Sequence, residues 1–100
     1  MKKRFIICID NSTEEDKSKF IEYLKSSSFA WWHYLSDTWL LSDTSGKYTA
    51  ATIRDKVREF FPTDYLMVFE LSENGDTWSG FGPNTEERNM FAWIRKNWSN

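Results

Sequence analysis

Apolar residues fill positions 5 to 9 without a break (Phe5-Ile6-Ile7-Cys8-Ile9), and the run closes on Asp10. A continuous run of this length, rich in Ile and Phe, predicts a strand buried on both faces and therefore central in its sheet. The next stretch, Ser12-Thr13-Glu14-Glu15, has the pattern of a capping box, with acids in the first turn and lysines after it. Phe20, Ile21 and Leu24 then fall on one helical face, so a helix is expected over residues 13 to 27. Phe29-Ala30-Trp31-Trp32-His33-Tyr34-Leu35 and Thr38-Trp39-Leu40-Leu41 are two β-prone runs separated by Ser36-Asp37, the pattern of a hairpin. A polar loop, 42 to 47, leads to a second helix in which Ile53, Val57, Phe60 and Phe61 recur at helical spacing and which stops at Pro62. Tyr65 to Leu71 is the fourth strand. Asn74-Gly75-Asp76 marks a turn before a short strand at Thr77-Trp78, and a last helix follows Pro83-Asn84-Thr85, with Phe91, Ile94 and Trp98 on one side.

The order β-α-β-β-α-β with a C-terminal strand and helix is that of an α+β, ferredoxin-like sandwich with a four-stranded antiparallel sheet. The first and third strands are its inner pair. That topology puts the end of the first strand, the hairpin turn and the start of the fourth strand at one edge, so Asp10, Asp37 and Asp64 are expected to gather there.

Composition narrows the class. The 100 residues are 40% hydrophobic and 28% charged with six Trp, which fits one domain over 1–100, a core of 3–72 and an extension of 73–100. No run approaches the 18 apolar residues of a membrane span. The basic start, Met1-Lys2-Lys3-Arg4, resembles a signal n-region, yet the apolar run after it is short and ends on Asp, so a cytoplasmic protein is expected. Net charge is −2, which is not the footprint of a protein gripping duplex DNA. Lone Cys8 reads as a small buried hydrophobe, and the two glycosylation triplets at Asn11 and Asn97 have no consequence without export.

Few motifs carry chemistry. One His and one Cys do not make an ordinary four-ligand zinc site. Ser45-Gly46-Lys47 resembles the end of a phosphate loop, but Leu41 stands where the upstream Gly belongs and Tyr48 where the magnesium-binding hydroxyl belongs. Gly80-Phe81-Gly82-Pro83 reads as a turn. His33 shares a sheet face with Trp31 and Leu35 and serves either as a structural imidazole or as a general base lacking a nucleophile. Asp10, at the end of a central strand, either helps the chain turn into the first helix or, with Asp37 and Asp64 or a second Asp10 across a twofold axis, holds Mg²⁺ or Mn²⁺. No organic cofactor is called for. The tryptophans, if exposed, would stack on single-stranded nucleic acid or form an apolar partner surface; if not, they fill the core. Arg54 and Arg58 lie one turn apart, on a mixed-charge helix face or against a phosphate.

Phe5 to Asp10, Trp31-Trp32-His33-Tyr34-Leu35 with Thr38-Trp39, Ile53-Arg54-Asp55, Asp64 to Val68 and Trp78-Ser79-Gly80-Phe81 together resemble small bacterial proteins labelled SinR-like, over about residues 3 to 82. More distantly, a hydrophobic first strand ending in Asp is similar to the VapD endoribonucleases and the small adaptation subunit of CRISPR systems. This resemblance implies a ferredoxin-like homodimer with Asp10 as catalytic metal ligand, where metal-activated water attacks an RNA phosphodiester. The chain departs from that pattern in its acidity and in the lack of an obvious basic groove. The contrasting expectation is a non-catalytic protein-binding module, such as an immunity, antitoxin or inhibitor protein, with Trp31, Trp32, His33 and Trp39 as its partner-binding surface. A rim of Lys2, Lys3, Arg4, Arg54, Arg58, Arg95 and Lys96 around the aspartates would favour RNA; a flat apolar patch would favour a protein.

Overall fold

A computed structural model describes residues 2–71 and 84–98. The elements are β1 (Lys3–Ile9), α1 (Glu14–Ser26), β2 (Ala30–Leu35), β3 (Thr38–Asp43), α2 (Ala50–Phe60), β4 (Leu66–Leu71) and α3 (Met90–Trp93), which continues as a π-helical turn over Ile94–Trp98. The strand order is β2-β3-β1-β4 with every neighbouring pair antiparallel, the ferredoxin-like arrangement expected from the element order. The strand and turns expected between residues 73 and 83 lie outside the described residues.

β1 is central because both its edges and both its faces are used. Its register pairs Ile7 with Trp39 of β3 and Cys8 with Met67 of β4. Phe5, Ile7 and Ile9 point to α1 and α2, where they meet Phe20, Leu24, Trp39, Leu41, Ile53, Val57 and Phe61 in the main core. The opposite face is covered by the C-terminal segment: Trp32 and Leu40 pack against Ile94 and Trp98, with Ile6, Tyr34, Leu71, Phe91 and Trp93 around them. Arg4 extends along this second face, 3% exposed. Its guanidinium lies 5.6 Å from the centre of a Trp98 ring and donates to the Trp98 carbonyl at 2.9 Å, a desolvated cation held by a π face and an acceptor.

Two local expectations change. The cap of α1 is Thr13, whose hydroxyl accepts from the Asp16 amide at 3.1 Å; Ser12 is drawn away to Asp37. Ser42 and Asp43, expected in a polar loop, instead extend β3 and are buried. Asp43 can be buried because its carboxylate is fully used: it accepts from the Ser45 amide at 3.0 Å, the Ser45 hydroxyl at 2.6 Å and the Tyr48 amide at 3.1 Å. Burial pushes its pKa up, but these hydrogen bonds from Ser45, Tyr48 and Gly46 outweigh burial and hold it below the ordinary carboxylate value. Gly46 supplies the positive φ of 70° that folds the loop around it. Of the amides that a phosphate would need in Ser45-Gly46-Lys47, those of Ser45 and Gly46 are therefore turned to an internal carboxylate and that of Lys47 to the Ser45 hydroxyl. No described helix is long and apolar enough to cross a membrane.

Replacing buried Asp43 by Ala leaves the part-buried amides of Ser45 and Tyr48 without their acceptor, and an unsatisfied buried donor costs about 1–3 kcal/mol. Asp43→Ala is expected to destabilise the fold by about 3 kcal/mol in urea denaturation. Asp43→Asn, which retains an acceptor, is expected to lose less than half of that.

Candidate functional site

The rim expected from topology forms in the backbone. The Ile9 amide donates to the Asp37 carbonyl at 2.8 Å and the Asp10 amide to the Tyr65 carbonyl at 2.8 Å, so β1 meets the β2–β3 turn on one side and the start of β4 on the other. Asn11 follows with a φ of 64°, a left-handed conformation that Asn tolerates, and this reverses the chain into α1.

The three carboxylates at this rim have different surroundings. Asp10 is exposed. Asp37 accepts from both the hydroxyl and the amide of Ser12, and the Lys17 ammonium stands 3.7 Å from it. The Ser12 hydroxyl, followed by the Ser12 amide and Lys17, holds its pKa below the ordinary value against a smaller opposing effect of burial. Lys17 is itself buried and also donates to the Ser36 hydroxyl at 2.8 Å and to Glu14 at 3.2 Å. This cluster clamps the hairpin turn onto α1. Asp64 is half-buried, and its Oδ2 has no hydrogen-bond partner among the described residues. Within the same residues no three His, Cys, Asp or Glu side chains converge in a group that could hold a metal ion. Asp10 alone would offer a hard cation one exposed carboxylate per chain, fewer than such an ion normally takes from protein and substrate together.

Asp10 lines a shallow groove of about 460 Å³ with Cys8, Tyr65 and Met67. A neighbouring groove of about 340 Å³ is lined by Arg54, Arg58, Asp64, Tyr65 and Leu66. Arg54 and Arg58 thus approach the rim, although Arg54 pairs with Asp55 at 2.9 Å. The other basic residues do not join them. Lys2, Lys3 and Arg4 occupy the start of β1, the opposite end from Asp10, and Arg4 is buried against Trp98. Arg95 and Lys96 belong to the C-terminal π-helical turn.

The aromatic surface expected on β2 and β3 is mostly interior. Trp39 is 0% and Trp32 4% exposed, so neither can reach a partner. Trp31 packs partly buried against the main core. His33 lies flat on Trp39, ring centres 3.4 Å apart and planes 3° from parallel, with Nδ1 at 3.1 Å from the Thr38 carbonyl. A register shift between Trp32 and Leu35 makes this possible, because His33 and Tyr34 together oppose Trp39. The ring is structural in its contacts with Trp39 and the Thr38 carbonyl. Burial lowers the pKa of His33, followed by a raising hydrogen bond to Thr38, a lowering effect of Lys17 and raising effects of Asp37 and Glu14.

Exposed apolar surface lies on the other edge of the sheet. Tyr65 is 83%, Met67 57% and Phe69 46% exposed. They alternate with Leu66 and Val68, which pack on the main core, so one face of β4 is buried and the other presents large apolar side chains. The sequence carried this signal: an apolar strand placed at the sheet edge by the topology has a second apolar face that the helices cannot cover. Comparison with family models, with curated proteins and with solved structures finds no match to this chain.

The His33 shift has a defined sign. A folded-state pKa below the unfolded 6.5 contributes stability that is present above 6.5 and lost as pH falls through the folded value. Asp37 and Asp43, both below 3.8, stay ionised through that window. Urea denaturation from about pH 8 down to about pH 5 is expected to show falling stability, and His33→Phe, which preserves a ring on Trp39, is expected to flatten the slope. An unchanged slope in the variant would assign it to another group.

Proposed function

We propose that the chain is a non-catalytic protein-binding module whose recognition surface is the exposed face and outer edge of β4. The observation that carries this reading is the row Tyr65, Met67 and Phe69, three large apolar side chains exposed at alternate positions of an edge strand. Contiguous apolar surface of this kind marks interaction sites. A strand edge adds main-chain donors and acceptors on which an extended partner can pair. This surface is not the Trp-rich hairpin, whose Trp32 and Trp39 are buried.

A second reading, metal-dependent cleavage of RNA, rests on exposed Asp10 at the mouth of its groove. It needs further ligands from outside the chain, because Asp37 is engaged by Ser12 and Lys17.

Two measurements decide between them. A photocrosslinking side chain placed at Met67 is expected to capture a protein, and the pair Met67→Glu with Phe69→Glu is expected to reduce capture at least about tenfold, the effect of about 1.4 kcal/mol. Because both positions are exposed, the melting temperature should shift by only a few degrees. Capture unchanged by the pair would overturn the recognition reading. RNA incubated with Mg²⁺ or Mn²⁺ is expected to remain intact and to be treated alike by the wild type and Asp10→Ala; metal-dependent cleavage abolished by Asp10→Ala would establish the second reading instead.

A further inference from the structure

From the charge and exposure around this face we infer that its occupant is a segment of a partner protein carrying a basic side chain, lysine or arginine, next to large apolar ones. The basic head sits at Asp10 and the apolar side chains lie on Tyr65, Met67 and Phe69. This rests on the recognition reading and names the chemistry of its partner. The contact uses the face of β4 and needs none of the strand's outer main-chain groups.

Among the described residues, the C-terminal segment covers one part of the sheet face opposite the main core. Ile94 and Trp98 pack on Trp32 and Leu40, and Ile6 and Leu71 join them. Nearer the rim, Cys8 lies opposite Met67 in the β1–β4 register, and the Asp10 amide bonds to the Tyr65 carbonyl. Cys8 and Asp10 thus carry the level of Met67 and Tyr65 across to β1, and the four side chains line one groove of about 460 Å³. Tyr65, Met67 and Phe69 are the exposed side chains of this level and the next.

Asp10 is the only charged residue lining that groove. Among the described residues no basic side chain forms an ion pair with it. Arg54 and Arg58 belong to the neighbouring groove, on the α2 side of Tyr65 and Leu66, which Asp64 also lines. There Arg54 pairs with Asp55 at 2.9 Å and Lys56 with Glu59 at 3.4 Å, while Arg58 stands among Asp64, Asp55 and Glu59. Three cations and three carboxylates balance in that neighbourhood, and no positive charge is left over for Asp10.

An unpaired carboxylate beside an exposed phenol ring and a thioether suits a side chain with a cationic head and an aliphatic stem. The head gains from the carboxylate and from the ring face, and the stem lies along apolar surface. The alternatives are disfavoured by the same residue. A phosphate backbone would be repelled by Asp10, and a wholly apolar partner would desolvate its carboxylate without pairing it. Tyr65, Met67 and Phe69 follow one another at a pitch of about 7 Å, two strand residues, which alternate side chains of an extended segment match. Charge lies at the Tyr65 end alone, because Phe69 is opposite Ile6. The basic residue is therefore expected at one end of the partner's apolar row and not within it. The row supplies affinity, and Asp10, at its exposed margin, supplies orientation and choice of partner. The net charge of −2 attracts such a segment from a distance.

The test uses synthetic peptides of about nine residues, with leucines at three alternate positions of a serine-glycine frame and Arg, Gln or Glu two residues before them. A second set carries the variable residue two positions after the leucines. Binding to the full chain is read by fluorescence anisotropy. In the tighter-binding set, the Arg peptide is expected to bind about fivefold more tightly than the Gln peptide at low salt, with the Glu peptide weakest. The difference should close near about 1 M salt, where charges are screened within about 3 Å. Asp10→Asn is expected to erase the Arg preference, and Asp10→Arg to make the Glu peptide the tightest. Glu22→Arg, the same charge change on an exposed position of α1, is expected to keep the wild-type order. Equal binding of the three peptides, a wild-type preference for Glu, an order that Asp10→Arg leaves unchanged or that Glu22→Arg also reverses, or no binding at all would overturn the basic-segment assignment. Crosslinks from Met67 that join two copies of the chain would give the face to self-association instead. If the peptides fail while Met67 still captures a different protein, the recognition reading stands; if both fail, it falls too.

Discussion

The structure depends on the double burial of β1. A strand that is bonded on both edges and apolar on both faces has no orientation in which one covering layer suffices. Phe5, Ile7 and Ile9 require α1 and α2 on one side. Arg4, Ile6 and Cys8 require something on the other, and the C-terminal turn provides it for the upper half of the strand through Ile94 and Trp98. Arg4 is the unusual member of this arrangement. A buried cation is tolerable only with compensating contacts, and Trp98 supplies both a carbonyl acceptor and a ring. The first strand and the C-terminal π-helical turn are thereby fixed to each other across almost the whole sequence.

The same economy of partners governs the acidic rim. Topology brings Asp10, Asp37 and Asp64 to one edge, but proximity of backbone is not convergence of side chains. Asp37 has an alternative to a metal ion: two donors from Ser12 and the ammonium of Lys17. Those contacts join the hairpin turn to the start of α1, so withdrawing Asp37 to bind a cation would leave buried Lys17 with weakened compensation. Asp43 makes the parallel point in the β3–α2 loop, where an internal carboxylate occupies the amides of a sequence that superficially resembles a phosphate loop.

Element types and strand order were legible because they follow from periodicity and run length: the unbroken Phe5–Ile9 run, the spacing of Ile53, Val57 and Phe61, and the break at Pro62. What the sequence could not disclose were choices between equivalent local partners. Ser12 and Thr13 are both competent caps, and only the position of Asp37, distant in the chain, decides that Thr13 takes the role. Ser42 and Asp43 look like loop residues until Ser42 is seen paired between Arg4 and Ala30 in the sheet and Asp43 satisfied by the amides of Ser45 and Tyr48. The hairpin tryptophans were ambiguous for a related reason: alternation places Trp31 and Trp32 on opposite faces, but not whether each face is covered. The C-terminal segment covers Trp32, and α1 with α2 covers Trp39. At the candidate site, Asp10 could be placed from sequence, and so could a second apolar face on β4, but where the C-terminal segment stops covering that face is set by its packing on Trp32 and Leu40 and could not be read from the chain.

The two edges of the sheet are managed differently, and the difference bears on function. β2 is blunted: a register shift interrupts its ladder with β3 between Trp32 and Leu35, and a bulged edge twists away from further pairing. β4 pairs with β1 in continuous register over six residues, carries no Pro or Lys, and has Glu70 as its single charge. Open edges of soluble proteins normally carry a device against sheet extension. Among the described residues the fold thus blunts one edge and leaves the other regular and apolar, on the side where Tyr65, Met67 and Phe69 are exposed, and that contrast is what a recognition surface on β4 requires.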